Sequence, residues 1–325
     1  MKTFYSLQYL RAVAALAVVA FHTTLTGRVG QAGVDVFFVL SGFIMWTVTE
    51  RERAPLQFLA RRLVRIWPLY IIATAMMALH NHVSLADLVR SLFFVPYRDA
   101  NGHVWPVLVQ GWTLNYEMLF YLLVAATLLL PRGIMAIALT GALGGLVLAG
   151  LVLRPSGAAA ASYTSPLLLE FLAGVWLGRL VTAGWRPNRI VAAALVAFGL
   201  AAFAASSVIE TGDGFRVLVW GVPSAALVTG MLGLELAGWS PKIAPLKLLG
   251  DASYSTYLFH PFLLKTAQAL FGRLPAPLTV IGVVAAAGVA GVLIYWFVER
   301  HITASLKRLF ADHLKPEVAP AAVDA

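Results

Sequence analysis

Long apolar runs, most of them close to twenty residues, alternate along this chain with short polar connections. A helix needs roughly 20 apolar residues to cross the hydrocarbon core of a bilayer. The pattern therefore predicts an all-α, polytopic integral membrane protein with about ten transmembrane helices. The predicted spans lie near residues 6–26, 33–50, 64–80, 112–131, 134–153, 164–182, 189–207, 215–236, 251–271 and 277–298.

The first run, LQYLRAVAALAVVAFHTT, carries two ionisable residues, Arg11 and His22. At about 100° per residue the two side chains fall on one face of a helix, roughly 16 Å apart along its axis. A membrane helix tolerates such a stripe where it faces protein or water rather than lipid. The stripe is therefore the first candidate for function, although His22 alone is equally consistent with a structural histidine bonded within the bundle.

Two carboxylates are expected near the depth of His22, towards the outer surface. Asp35 opens the second run, GVDVFFVLSGF. It could orient the His22 imidazole, or it could only interact with the N-terminal dipole of its own helix. Glu117 lies inside the fourth run, GWTLNYEMLFY, where a carboxylate is costly unless it is paired. Both are candidate catalytic residues beside His22.

A basic segment, RRLVRIWPLY, leads into the third run and places Arg61, Arg62 and Arg65 near the inner surface. Arg62 and Arg65 are three positions apart and share a helix face. Guanidinium groups at this density suit bidentate binding of phosphates. The spacing fits equally well a positive cluster that contacts lipid headgroups.

The ninth run, GDASYSTYLFHPF, contains two further polar residues of interest. Asp251 is predicted at the inner end of this span, and His260 is predicted near the middle of the membrane. Pro261 follows His260, so the histidine marks either a kink in the helix or a functional group. The sequence leaves both interpretations open.

Lysine and arginine set the predicted topology. With the N-terminus inside, 17 of the 24 Lys and Arg residues lie on the inner side and 7 on the outer side. This bias places both termini in the cytoplasm. It also accounts for the net charge of +9, so the basic balance predicts contact with membrane lipids and no nucleic-acid partner.

Composition excludes several kinds of chemistry. The chain is 60% hydrophobic and 12% charged, about half the charged share of an average soluble domain. It contains no cysteine, which excludes disulfides, thiolate nucleophiles and cysteine-based metal sites. No metal site is predicted.

Two segments depart from the pattern of spans. Residues 84–95 begin with a capping-box pattern, Ser84 and Asp87, and then place their apolar residues on one face. This predicts a short helix on the outer membrane surface. Residues 311–325 are rich in Pro and Ala and are predicted to be a disordered cytoplasmic tail. Residues 1–310 are predicted to form one transmembrane domain.

Five stretches of the chain together resemble the membrane-bound acyltransferase-3 family, and the resemblance covers nearly the whole chain. The stretches are LQYLRAVAALAVVAFH, GVDVFFVLSGF, RRLVRIWPLY, GWTLNYEMLFY and GDASYSTYLFHPFL. Spans one, two and four are most similar to the branch that O-acetylates bacterial exopolysaccharides such as succinoglycan. By this resemblance, the Arg and His of the family's first span match Arg11 and His22, and its basic entry to the third span matches Arg61 to Arg65.

The resemblance implies a membrane O-acyltransferase in the bacterial inner membrane. Acetyl-CoA is implied as the acyl donor, and a hydroxyl of a polysaccharide or lipid-linked oligosaccharide as the acceptor. Our hypothesis is that Arg11 and the arginines of the third run bind the CoA phosphates. His22 would act as general base, with Asp35 or Glu117 holding its tautomer. Direct transfer and an acetyl-histidine intermediate stay open.

The alternative function is a transporter or flippase of a glycan precursor. Such a protein needs a polar pathway but no activated donor. The chain shows no internal repeat of the kind that many transporters carry, which counts modestly against this alternative. The sequence gives no indication of an oligomeric state.

Overall fold

The computed structural model describes residues 4–50, 52–81, 83–206 and 215–310. Within these ranges the chain is helical and contains no β-strand. The described α-helices, numbered in chain order, are α1 (Tyr5–His22), α2 (Ala32–Val48), α3 (Pro55–His80), α4 (Leu85–Leu92), α5 (Trp112–Thr127), α6 (Arg132–Leu153), α7 (Ala158–Tyr163), α8 (Leu168–Thr182), α9 (Arg189–Ser206), α10 (Val222–Leu236), α11 (Ala244–Asp251), α12 (Ser253–Phe271), α13 (Ala276–Ile294) and α14 (Arg300–Leu309).

Seven helical stretches in the described ranges are long and apolar enough to cross a bilayer, which confirms the prediction of an all-α, multi-pass membrane protein. They are Arg28–Val48, Pro55–His80, Arg132–Leu153, Ala158–Thr182, Arg189–Ser206, Val217–Leu236 and Ala276–Leu309. Helices α1, α5 and α12 fall outside this set. Helix α5 has only 16 residues, whereas α1 and α12 contain polar residues such as Arg11 and His260. The total of ten spans and the cytoplasmic termini therefore stay predictions.

The chain divides into two compact units. The first contains residues 4–42 and 169–300, and the second contains residues 43–168 and 301–310, in each case as far as they are described. The predicted disordered tail, residues 311–325, lies outside the described residues.

In the first unit, α1 packs against α11, α12 and α13. Its first turn is capped by Glu235 of α10, which accepts hydrogen bonds from the backbone N–H groups of Tyr5 and Ser6 at 3.0 and 2.8 Å. A carboxylate accepts hydrogen bonds from the free N–H groups at the start of a helix, and its negative charge interacts favourably with the positive end of the helix dipole. Helices α2 and α8 approach closely at Gly42, where a methyl group would overlap the backbone carbonyl of Phe171. These contacts hold the helices that carry the candidate residues of this unit.

In the second unit, α3 packs against α4 and α5. The short helix predicted within residues 84–95 is present as α4, with the Asp87 backbone N–H donating to Ser84 Oγ at 3.1 Å; its place on the outer membrane surface stays a prediction. Two side chains of α3 fasten the end of α4: Trp67 Nε1 donates to the Leu92 carbonyl at 2.9 Å, and the Tyr70 hydroxyl donates to the Ser91 carbonyl at 3.1 Å.

Candidate active site

Helix α1 presents Arg11 and His22 to the same neighbour, α12. The Arg11 guanidinium donates hydrogen bonds from Nε and Nη2 to Ser253 Oγ, at 3.2 and 3.1 Å. The His22 ring lies against the His260 ring, with the centroids 4.8 Å apart. Both residues are partly exposed. The contacts agree with the shared helix face that their spacing predicts.

The stripe of α1 between these two residues is filled by apolar side chains. Ala15 and Val18 lie on it and are 1% and 3% exposed. An acyl donor that extends from Arg11 to His22 along this face would have to displace these apolar side chains or pass beside them.

The orientation of His22 is fixed by its own helix. Its Nδ1 is 2.8 Å from the carbonyl oxygen of Val18. A carbonyl oxygen only accepts hydrogen bonds, so Nδ1 carries the proton of the neutral ring and Nε2 keeps a lone pair. We expected Asp35 or Glu117 to hold this tautomer. That expectation is wrong, because the backbone carbonyl of Val18, one turn earlier, holds the tautomer of His22.

His260 has the same arrangement on α12. Its Nδ1 donates to the Tyr257 carbonyl at 2.8 Å, which again leaves the lone pair on Nε2. The residue is 1% exposed, and among the described residues Nε2 has no hydrogen-bond partner. The sequence alone did not decide between a kink and a functional role for His260. The structure brings this residue into contact with His22.

A salt bridge lies within α11, at the end that leads into α12. Lys247 Nζ on α11 donates to Asp251 Oδ2 at 2.6 Å. This hydrogen bond raises the pKa of the Lys247 ammonium group, helped by the negative charge of Asp251. Asp251, predicted at the inner mouth of this helix, is therefore neutralised by a neighbour one turn away.

Asp35 is completely buried and is paired with Arg216. The guanidinium donates from Nη2 to Oδ2 at 2.7 Å and from Nε to Oδ1 at 3.2 Å. It also lies over the Trp220 ring, 4.9 Å from the centroid. Glu170 on α8, 2% exposed, is close enough for its charge to act on both Asp35 and Arg216.

Sequence reasoning missed Glu170 and Arg216. A signal for Glu170 was present, because it is the single acidic residue inside the sixth predicted span. Arg216 lies at the start of the eighth predicted span and is one of the seven Lys and Arg residues that the charge bias places on the outer side. Charged residues inside an apolar run or at its edge need partners, and these two residues meet at Asp35.

The three arginines of α3 have different environments in the second unit. Arg61 forms an ion pair with Glu52, which is buried. Arg62 lies 5.8 Å from the centroid of the Phe58 ring. Its Nε is buried and has no hydrogen-bond partner among the described residues. A buried guanidinium N–H without an acceptor is costly, so Arg62 is suited to an incoming anion.

Glu117 lies with these arginines. It accepts a hydrogen bond from the Tyr121 hydroxyl at 2.5 Å. The charges of Arg62 and Arg65 act on Tyr121, and those of Arg62 and Glu117 act on each other. The Tyr121 ring also meets the Phe58 ring edge to face, with the centroids 6.2 Å apart. Glu117, Arg62 and Arg65 therefore form one cluster with Tyr121.

This position differs from the expectation that Glu117 lies towards the outer surface and the arginines at the inner end. The reason is where α5 begins. Gly111, just before α5, packs so tightly on Tyr70 that a methyl group would overlap the ring. Tyr70 lies only about 22 Å along α3 from its first residue. Six residues further back along α5, Glu117 returns to the level of Arg62.

A cation that sequence reasoning did not select joins the same cluster. Lys307 lies on α14, and the positive charges of Arg62 and Arg65 act on it. In the described part of the chain neither Arg65 nor Lys307 forms an ion pair with a carboxylate. Positive charges near enough to act on one another favour a bound anion. The described residues contain no group of three or more His, Cys, Asp or Glu that could hold a metal ion.

Comparison with known proteins gives a consistent result over most of the chain. Residues 4–299 match a family described as an acyltransferase domain. The chain is 40% identical to the exopolysaccharide production protein ExoZ of Rhizobium meliloti over 284 residues, which cover 84% of this chain and 89% of that protein. No solved structure matches the chain.

Two further relatives are more distant. The chain is 27% identical to the acyltransferase MdmB of Streptomyces mycarofaciens over 329 residues, which cover 82% of this chain and 80% of that protein. It is 31% identical to the peptidoglycan O-acetyltransferase OatA of Listeria monocytogenes over 149 residues, 38% of this chain and 24% of that protein.

Proposed function

Because this chain belongs to the acyltransferase-3 family and is an O-acyltransferase, we propose that it moves an acetyl group from acetyl-CoA to a hydroxyl of a polysaccharide. The donor is cytoplasmic acetyl-CoA, and the acceptor is an extracytoplasmic or lipid-linked polysaccharide. The name of its relative ExoZ, an exopolysaccharide production protein, supports the choice of acceptor. The enzyme lies in the bacterial inner membrane and has ten spans, with α1, α5 and α12 crossing in addition to the seven apolar stretches.

One observation carries the chemical part of this proposal. His22 is held by the Val18 carbonyl so that its Nε2 offers a lone pair. His22 is also partly exposed, so a substrate hydroxyl can approach it. A neutral imidazole with a fixed tautomer is the usual general base for removing a proton from a hydroxyl near neutral pH.

The reaction balances with His22 alone as the proton carrier. His22 Nε2 takes the proton of the acceptor hydroxyl while the hydroxyl oxygen attacks the thioester carbonyl carbon. The new C–O bond forms and the C–S bond breaks, and His22 returns the proton to the CoA sulfur. The products are the O-acetyl ester and free CoA thiol. In a two-step variant the same lone pair attacks the thioester carbonyl carbon first, the C–S bond breaks and CoA leaves as the thiolate, so that an acetyl-imidazole forms on His22. The acceptor hydroxyl then attacks the acetyl carbon, the C–N bond breaks, and the hydroxyl proton goes to the CoA sulfur.

We propose that the donor's phosphates bind the cationic cluster of the second unit. Arg62 and Arg65 contribute guanidinium groups, and Lys307 adds an ammonium group. Arg61 belongs to the same segment but is engaged by Glu52, so its contribution is the smaller one. Glu117 acts here as a positioning residue that balances the charge of Arg62. Among the residues of the first unit, Arg11 is a further candidate for a phosphate contact.

The test has two parts. Mass analysis of the surface polysaccharides, with and without this protein, is expected to show the loss of an acetyl mass when it is absent. Purified protein in detergent, given acetyl-CoA and alkali-deacetylated polysaccharide from the same cells, is expected to release CoA thiol. Since the chain contains no cysteine, a thiol reagent detects only that product. An unchanged polysaccharide, or translocation without thiol release, would indicate a transporter instead.

A further inference from the structure

His260 satisfies a backbone carbonyl that its neighbour cannot reach. In a regular helix the N–H of residue 261 would donate to the carbonyl of Tyr257, four positions earlier, but Pro261 has no N–H. His260 Nδ1 supplies the missing donor, at 2.8 Å from the Tyr257 oxygen. This hydrogen bond accounts for Nδ1 of the ring and gives His260 a structural role.

The other nitrogen has no such explanation. Nε2 carries a lone pair inside the helix bundle, and no described group donates to it. A buried acceptor without a donor is costly, and such groups in native structures call for a functional reason. The ring next to it is that of His22, with centroids 4.8 Å apart, a separation at which two ring nitrogens can reach hydrogen-bond distance.

In the resting state the two rings cannot bond to each other. Both hold their proton on Nδ1, shared with a carbonyl of their own helix, so both Nε2 atoms are acceptors. The situation changes once His22 takes a proton on Nε2, because His22 then has a donor to offer. An interaction that forms only as the reaction proceeds accelerates the chemical step without tightening substrate binding.

We propose that His260 is a positioning residue for acyl transfer, whose Nε2 accepts a hydrogen bond from the imidazolium that His22 becomes. This inference rests on the proposed function. The acceptor hydroxyl gives its proton to His22 Nε2. The new N–H is shared between the substrate and His260 Nε2, because Nδ1–H stays on the Val18 carbonyl, and the proton then passes from His22 to the CoA sulfur. His260 stays neutral throughout and exchanges no atom with either substrate.

A pair of variants separates the two nitrogens of His260. Asparagine places an N–H donor where Nδ1 was and keeps the bond to Tyr257, whereas glutamine places an acceptor oxygen where Nε2 was. The assay uses membrane vesicles from a strain that lacks the protein, complemented with each variant. Radiolabelled acetyl-CoA and alkali-deacetylated polysaccharide of that strain are the probes, and kcat and KM are measured.

For His260→Asn we expect kcat to fall about 10- to 100-fold, the range for loss of a hydrogen bond to a charged group. KM for acetyl-CoA should stay within about twofold. His260→Gln should retain most of kcat. The opposite order, with an active asparagine variant and an inactive glutamine variant, would mean that only the bond to Tyr257 matters and would overturn the proposal.

A second variant covers the case in which both substitutions impair folding. Pro261→Ala returns a backbone N–H to the Tyr257 carbonyl, so His260→Ala in that background no longer leaves the carbonyl without a donor. The proposal predicts that kcat stays low in this double variant, while a purely structural role predicts recovery. Wild-type and His22→Ala vesicles are run alongside. If wild-type vesicles transfer no label, the proposed function fails; if they do and His260 variants keep kcat, only this inference fails.

Discussion

Arg216 binds both carboxylate oxygens of Asp35, at 2.7 and 3.2 Å, where Asp35 has no exposed surface. The two residues are 181 positions apart in the chain. Bidentate guanidinium–carboxylate pairs are geometrically specific as well as strong. The pair joins the N-terminal part of α2 to the start of the apolar stretch Val217–Leu236, so Asp35 serves the first unit as an anchor.

Removal of Arg216 is expected to destabilise the protein strongly. Arg216→Ala leaves the Asp35 carboxylate buried without its partner, and breaking a buried pair in this way typically costs about 3–5 kcal/mol. Thermal unfolding of purified protein in detergent measures the effect, with the exposed Arg186→Ala as the matched control. The double variant Asp35→Asn with Arg216→Ala should recover part of the loss. Equal stability of single and double variants would show that the pair is not coupled.

Loss of the charge on Glu170 is expected to be tolerated. Two carboxyl groups lie beside one guanidinium, so burial and the charge of Asp35 both disfavour a second negative charge on Glu170. Glu170→Gln keeps the shape and removes the charge, so it should unfold at or slightly above the wild-type temperature. Glu170→Ala should unfold lower, because it leaves a cavity. A glutamine variant as unstable as the alanine variant would show that the ionised carboxylate is needed.

His22→Ala is expected to abolish acetyl transfer, with a loss of kcat of about 100-fold or more, because the neighbouring lone pair, on Nε2 of His260, belongs to a residue that is only 1% exposed. The measurement is radiolabel transferred to polysaccharide, normalised to the amount of protein in the membrane. The exposed His301→Ala serves as control. Transfer that persists in a correctly inserted His22→Ala protein would remove His22 from the mechanism.

The cationic cluster is expected to determine how well the donor's phosphates are recognised. Wild-type protein should use acetyl-CoA better than S-acetyl-pantetheine, which lacks the nucleotide phosphates. Arg65→Ala and Lys307→Ala should each raise KM for acetyl-CoA about 10-fold and leave S-acetyl-pantetheine almost unaffected. Arg186→Ala again provides the control. If KM rises equally for acetyl-CoA and S-acetyl-pantetheine, the cluster has a structural role or contacts lipid headgroups.

Several features of the fold followed from local pattern alone. The apolar runs predicted the multi-pass class, and the capping residues predicted helix α4. The spacing of Arg11 and His22 predicted a common face, and both contact α12. The total of ten spans stays a prediction. Of the three expected spans outside the seven apolar stretches, α5 is short, with 16 residues, whereas α1 and α12 carry polar residues such as Arg11 and His260 that reduce their apolar character.

By itself, then, the sequence determined the membrane class, the family and which residues share a face of one helix, because helix periodicity is a local property of the chain. Only the tertiary structure decided the partners: Arg216 for Asp35, His260 for His22 and Arg62 for Glu117. Those pairings depend on which helices are neighbours and on how deep each one begins. The start of α5 against the middle of α3, which carries Glu117 back to the arginines, is a packing outcome that no spacing within a single helix encodes.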